Sequence, residues 1–434
     1  MSSQVYVADP PELPPPPVAL RWLVLVMVSL AMFGNYYVYD SIAPVADVLK
    51  EQLGFSDTNI GTLNAIYSLP NIIMVLIGGI IIDRIGTRKS TVLFALICLL
   101  GAVVTVSSGH FYVMAGGRLI FGLGSESLIV AVTTALARWF KGKELSFAFG
   151  LNLTLARLGS FMADWSPTMF TPAFEQWRGP LLIALVFGMV SFIGAAIYWI
   201  LESRTVGRYQ VGAAGETEKP VFGELFKFGR SYLYVVALCV TFYSAVFPFR
   251  TFAIKFFMEY HGTTREVGGQ LNSILILFAM ICTPLFGLLV DYVGRRALFM
   301  MYGSLLMVPV YLMLIYAPVP VWVPMAMLGI AFSLIPAVMW PSVAYIVDEK
   351  RLGTAYGLMT MIQNIGLAGF NWMVGIANDM AGASAQNPVG HRPGMWIFSI
   401  LGILGFGFAY LLRREETGPN AHGLETITAR GKTE

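Results

Sequence analysis

The chain is poor in what soluble enzymes use. Among 434 residues there are three cysteines and four histidines, and charged residues make up 12%. A soluble domain carries about 25% charged residues. Cys98, Cys239 and Cys282 stand far apart inside apolar stretches, which excludes a disulfide framework and any metal-ligand spacing. His110, His261, His391 and His422 fall in loops or the C-terminal tail, so no histidine relay runs through the apolar segments. No depth of the chain gathers a nucleophile with a base, and no enzyme is expected. The first twenty residues lack a basic n-region and a cleavable signal peptide, and PPELPPPP reads as a short extended tail. The net charge of +3 offers no case for nucleic acid, because the basic residues follow the loops.

What is abundant is apolar sequence, 56% of the chain. Crossing the hydrocarbon takes roughly 20 mostly apolar residues, and about twelve stretches qualify. They lie at 20–45, 59–82, 90–107, 111–138, 145–169, 179–202, 229–258, 266–290, 296–317, 319–347, 353–380 and 394–412. The expected fold is an all-α polytopic membrane protein. Loops on one side carry Arg84, Arg88, Lys89, Arg138, Lys141, Lys143, Arg204, Arg208, Lys219, Lys227, Arg230, Arg295, Arg296, Lys350, Arg351, Arg413 and Arg414. The opposite loops carry Lys50, Arg178, Arg265 and Arg392. The positive-inside rule puts the basic side, both termini and the long central loop in the cytoplasm.

The chain repeats itself. Gly79, Asp83, Arg84, Gly86, Arg88 and Lys89 form G-x-x-x-D-R-x-G-x-R-K after the second span. Gly287, Asp291, Gly294, Arg295 and Arg296 form a degenerate copy after the eighth, with Tyr292 in place of the first arginine. Ala148-Phe149-Gly150-Leu151 returns as Ala355-Tyr356-Gly357-Leu358. Repeated halves around a midplane site are the architecture of secondary transporters. The expected division is a proline-rich tail at 1–19, a six-helix half at 20–202, a polar linker at 203–228, a second six-helix half at 229–413 and a tail at 414–434. Glycine in the loop permits close helix contact and a tight turn. A carboxylate such as Asp83 can meet the positive N-terminus of another helix.

This loop pattern resembles the signature of the major facilitator superfamily. The resemblance implies twelve helices in two pseudo-symmetric halves, no cofactor, and a conformational latch at Gly79, Asp83, Arg84, Gly86, Arg88 and Lys89. Four further blocks narrow it: G-x-Y-x-x-Y-D at Gly34–Asp40, G-x-E-S-L at Gly124–Leu128, W-F-K-G-K-E-L at Trp139–Leu145, and A-R-x-G-S at Ala156–Ser160. With Val246-Phe247-Pro248-Phe249, expected to break the seventh helix, and with Trp340-Pro341 and Gln363-Asn364, these are similar to the lysosomal dipeptide-transporter group of the superfamily and its microbial relatives. The short loops and a tail without a dileucine signal fit a bacterial inner-membrane monomer with no accessory subunit.

Two charges stand out within the apolar spans. Glu126 precedes the basic end of the fourth span by as many residues as Arg157 follows it in the fifth. At about 1.5 Å per residue both lie roughly 18 Å deep. Consecutive antiparallel spans are expected to be neighbours, which places the pair in one midplane layer. An ionisable residue there is a functional-site hypothesis by default. A dipeptide is a zwitterion; its ammonium suits a carboxylate and its carboxylate suits the planar fork of arginine. The resemblance implies the same assignment, Glu126 for the amino end and Arg157 for the carboxylate. A mutual salt bridge tying two helices together competes with that reading.

Trp340, Gln363, Asn364 and Tyr39 are candidate cavity residues, and Arg250 is a candidate carboxylate ligand. Arg118 offers either an access role or bonds to backbone. Asp40 and Asp164 offer gate or cap roles. Lys255 and Glu259, spaced i,i+4, read as a surface pair. The expected partners are a small zwitterionic substrate and the lipid bilayer. The alternative function is a proton-coupled organic anion carrier using Arg157 and Arg250 with Glu126 as the proton site. The choice between uniport and symport stays open.

Overall fold

The computed structural model describes residues 14–140, 144–205, 208–209, 211, 228–348, 351–419, 421–428 and 431–432, with the side chains of 75, 76, 146, 431 and 432 excepted. Most of the expected linker and the first thirteen residues of the expected tail lie outside this set, as do Lys141, Lys143, Lys219, Lys227 and Lys350.

Apolar runs become helices because lipid offers no partner to a free N–H or C=O, and a helix satisfies them within one segment. Among the described residues, twelve helices run between 21 and 32 residues: α1 (Val18–Asp40), α3 (Asp57–Ile85), α4 (Thr87–Ser107), α5 (Phe111–Phe140), α6 (Leu145–Met169), α7 (Arg178–Thr205), α8 (Arg230–His261), α9 (Arg265–Val293), α10 (Arg296–Tyr316), α11 (Trp322–Ile346), α12 (Leu352–Met380) and α13 (Arg392–Glu416). A short α2 (Ala46–Leu53) follows α1, and the tail forms a small antiparallel ribbon of β1 (Ile427–Thr428) and β2 (Gly431–Lys432).

By length and composition nine spans are apolar enough to cross a membrane, and ten if the two parts of α3 count as one. The two long helices left out are α6, which carries Arg157 and Asp164, and α12, which carries Gln363, Asn364, Asn371, Asn378 and Asp379. Their polar residues are spent on the protein interior rather than on lipid.

Three local expectations change. The first span ends at Asp40 rather than 45, because Pro44 donates no N–H and a 3-10 turn at Ala43–Val45 leads into α2. Pro248 does not break the seventh long helix: α8 runs through it to His261. The turn loosened by the missing amide is braced by Tyr311, whose hydroxyl donates to the Ala245 carbonyl at 2.8 Å. Nor are the fourth and fifth spans close neighbours. α5 packs against α3 and α4, while α6 packs against α1 and α9.

The helices fall into two groups of six, α1 with α3–α7 and α8–α13. Two seams join them, α3 on α12 and α6 on α9. Small residues let the backbones touch along both. A Cβ on Gly375 would sit 2.5 Å from the Asp57 carbonyl oxygen and 2.9 Å from the Thr58 Cα, and Gly269 lies equally tight against the Asp164 carbonyl. One buried apolar cluster runs through the second group and on into Ile42, Val45, Leu49, Ile60 and Leu63 of the first, at the end away from the basic loops. The rest of the first group has its own separate core.

At the basic end the tail folds back. Arg295 and Arg296 donate their amides to the Glu425 and Leu424 carbonyls at 3.4 and 2.9 Å, and the Glu425 carboxylate accepts from the Leu298 amide at 3.2 Å. Leu424 is fully buried. The C-terminal segment thus caps α10 at the second copy of the loop motif.

Candidate functional site

α1, with Gly34 seated against α7 and Gly159 of α6 seated against Phe33, brings Tyr36 into the centre of the molecule. There Tyr36 is within electrostatic reach of both Glu126 on α5 and Arg157 on α6. Tyr36 of α1 thus lies near both charges, although α5 and α6 are not packed side by side.

The two charges do not pair with each other. Glu126 accepts a long hydrogen bond from the Tyr67 hydroxyl, 3.4 Å at Oε1, and among the described residues its Oε2 has no hydrogen-bond partner and is not among the buried unpartnered atoms. Arg157 reaches the other way, across to α9. Its Nη1 donates to the Ala279 carbonyl at 2.6 Å and to the Thr283 hydroxyl at 2.9 Å, and its guanidinium lies over the Phe332 ring at 5.9 Å. Among the described residues its Nε and Nη2 likewise have no hydrogen-bond partner, and they are not among the buried unpartnered atoms. Each charge has one side held by the protein and one side left for something else.

Aromatic rings close the space toward the end away from the basic loops. Tyr67 packs on Tyr39 with centroids 4.7 Å apart, Tyr39 on Phe247 at 6.3 Å, and Phe247 on Tyr243 and Phe332 at 5.6 and 5.8 Å. Trp340 donates its indole N–H to the Tyr243 hydroxyl at 2.9 Å. Gln363 is half-buried and accepts from the Cys239 thiol at 3.6 Å. Asn364 is buried, donating to the Thr360 carbonyl, and its side-chain oxygen has no partner.

Beyond the aromatic layer the halves are bolted together. Arg250 of α8, 3% exposed, donates to Asp40 at 3.0 Å and to Asp164 at 2.8 Å. Asn272 of α9 fills the other oxygen of Asp164 at 2.8 Å. Arg250, expected to attract a substrate carboxylate, thus holds two carboxylates of the protein, Asp40 and Asp164, both from the first half. Lys255 is not the surface residue expected; it is 1% exposed and donates to both oxygens of Asp57 at 2.7 Å. The reason is the partner: Asp57 comes from α3, a tertiary neighbour no i,i+4 spacing reveals. Glu259 bonds Lys255 at 3.2 Å and His391 at 2.7 Å. Asp379 of α12 accepts the Asp57 and Thr58 amides at 2.8 Å each, capping α3 from the other half. Arg265 binds Asp47 with Nε at 2.9 Å.

Arg118, 1% exposed, donates to the carbonyls of Val38, Tyr39 and Leu63 and to Asn64. The backbone role holds here. Asn64 continues to Thr251 and Asn371, so this arginine also anchors a polar chain that crosses between halves. At the basic end the ion pairs Arg21–Glu144, Arg138–Glu202 and Arg296–Asp291 each lie within one half. Asp83, Arg84 and Lys89 are exposed there, Arg88 donates to Ser203 at 3.4 Å, and Gly86 has φ +82° at the turn. Gly79 has open space where a close helix contact was expected.

Two six-helix groups of like topology, joined along two seams, are the frame in which comparison with known proteins decides the family. The model of the Major Facilitator Superfamily matches residues 28–371 and 251–430. The chain belongs to this superfamily. The lysosomal dipeptide transporter MFSD1 of Mus musculus is 35% identical over 383 residues, covering 85% of this chain and 82% of the relative. That of Danio rerio is 34% identical over 378 residues, covering 83% and 81%. A crystal structure of a bacterial homologue of the human lysosomal transporter Spinster, inward-facing and occupied, superposes with a TM-score of 0.71 at 15% identity, covering 92% of this chain and 98% of the other; it speaks for the fold alone. The chain is a multi-pass membrane transporter of small molecules, and as a member of the superfamily it is not an enzyme.

Proposed function

We propose that this superfamily member carries dipeptides or similar small zwitterions by rocker-switch alternating access. Glu126 takes the amino end and Arg157 the carboxylate. The observation that carries the reading is the separation of these two charges: both lie near Tyr36, they do not pair with each other, and each has polar atoms with no partner among the described residues. Isolated charge in lipid is costly, and a zwitterion supplies both missing partners at once. The relatives named as dipeptide transporters support the choice of substrate class. Tyr39, Trp340 and Gln363, with Asn364 behind them, line the space for the substrate's side chains.

The state is one closed away from the basic loops, since the gate pairs cross between halves at that end. Positive-inside placement of the basic loops makes the open side cytoplasmic, in a bacterial inner membrane with both termini inside. The loop at Gly79, Asp83, Arg84, Gly86, Arg88 and Lys89 is the latch for the opposite state, when the basic ends come together. The division of the chain at 19, 202, 228 and 413, and action as a monomer without an accessory subunit, belong to the same proposal. The organic anion reading loses one of its two ligands, because Arg250 is filled by Asp40 and Asp164.

Thermal-shift measurement of the purified protein tests the proposal. Dipeptides should raise the melting temperature, and N-acetylated dipeptides should not. Equal stabilisation by both would remove Glu126 from its role, and stabilisation by simple carboxylates alone would favour the anion carrier.

A further inference from the structure

Arg157 is a residue of the first half whose guanidinium is held by the second. The anchor lies on α9, in the turn before Pro284. The neighbouring Ala279 carbonyl has a second lone pair to offer, and it takes the Arg157 Nη1 at 2.6 Å while Thr283 takes the same nitrogen at 2.9 Å. Phe332 lies under the guanidinium at 5.9 Å. One end of the planar group is thereby fixed, and among the described residues the Nε–Nη2 edge has no hydrogen-bond partner. That edge is the geometry from which a guanidinium donates two parallel bonds to a carboxylate.

We propose that Thr283 is a positioning residue for substrate recognition. With the Ala279 carbonyl it sets the plane of Arg157, so that the Nε–Nη2 edge meets the substrate carboxylate already oriented. The inference rests on the reading of Arg157 as the carboxylate ligand and goes beyond it. Carboxylate recognition becomes a joint property of both halves, strong only while α6 and α9 are together at this depth. Substrate release then follows from the motion itself: when the α6–α9 seam shifts, Arg157 loses its anchor and a long, flexible side chain grips poorly.

The test uses the full-length protein in proteoliposomes, with uptake of dialanine and of its C-terminal amide. The wild type should prefer the free acid. Thr283→Val should reduce that preference about fivefold, the scale of one hydrogen bond, through KM rather than kcat and with the melting temperature unchanged. Thr283→Ser, which restores a hydroxyl, should restore the preference. A merely structural threonine would lower uptake of acid and amide together, and that result, or an acid preference untouched in Thr283→Val, would overturn the proposal. The two layers separate cleanly. If the wild type itself fails to distinguish acid from amide, the assignment of Arg157 falls and the proposal with it. If Arg157→Lys abolishes uptake of the free acid and Thr283→Val leaves the wild-type preference intact, only the role of Thr283 falls.

Discussion

Lys255 donates to both carboxylate oxygens of Asp57, 2.7 Å each, across the boundary between the two halves. Both side chains are shut off from solvent. Without Lys255 the buried Asp57 carboxylate keeps only the longer contact to the half-buried Lys50, 3.4 Å away, so the loss costs less than the about 3–5 kcal/mol of a fully uncompensated buried charge. Lys255→Met is therefore expected to weaken the sealed end. Read by thiol labelling, a cysteine placed at Thr251 should become reactive from that side in Lys255→Met and stay protected in the parent. Combining Lys255→Met with Asp57→Asn should recover part of the protection, because the double variant buries no lone charge.

The central charges should behave differently from this gate. Glu126→Gln and Arg157→Lys are each expected to abolish dipeptide uptake in proteoliposomes while leaving the melting temperature within a few degrees, since neither group is part of an ion pair that holds helices together. Arg157→Lys keeps the charge and loses the fork. Uptake that survives Glu126→Gln and loses only its pH dependence would point instead to an anion carrier with Glu126 as its proton site.

Gly375 has no room for a side chain. Its Cβ would lie 2.5 Å from the backbone oxygen of Asp57, which cannot step aside as a flexible side chain can. Gly375→Val should therefore pry α3 from α12 at the sealed end, with a strain on the order of 1–3 kcal/mol. Transport is expected to fall, and accessibility of the α3 N-terminus to labelling should rise. Gly407, which has open space around it, serves as the control: Gly407→Ala should be silent.

The tail carries a pH-dependent contact. Burial holds the Glu425 carboxyl above its ordinary value, against the pull of the Leu298 and Ala297 amides and of Arg413. The folded state then binds this proton more tightly than the unfolded chain does. Its contribution is present below the unfolded value and is lost as pH rises through the folded one. The melting temperature should therefore decline slightly from mildly acid toward neutral pH, and Glu425→Gln should flatten that component. An unchanged pH slope in Glu425→Gln would remove the tail contact as its origin.

Much of this architecture could be read along the chain, and the reason is that membrane helices answer to local composition. A run such as 229–258 or 296–317 must be a helix wherever it packs, because lipid leaves its backbone no other partner. The repeated loop motif is equally local, and so is the depth of Glu126 and Arg157, since a fixed rise per residue converts position into height. Height, however, is only one coordinate. Which helix stands beside which follows from how the six helices of each half wind, and the inference from consecutive spans to adjacent helices failed for α5 and α6.

Composition, spacing and helical rise thus determined twelve helices, their doubling, their basic side and a layer with two opposite charges in it. The tertiary structure decided what those charges and their neighbours do. It turned Arg157 toward Ala279 and Thr283 rather than Glu126, committed Arg250 to Asp40 and Asp164, and buried Lys255 on Asp57. Each of these partners is distant in sequence, and a side chain's function in lipid is set by whether its charge is already answered by the protein or still has an edge to offer.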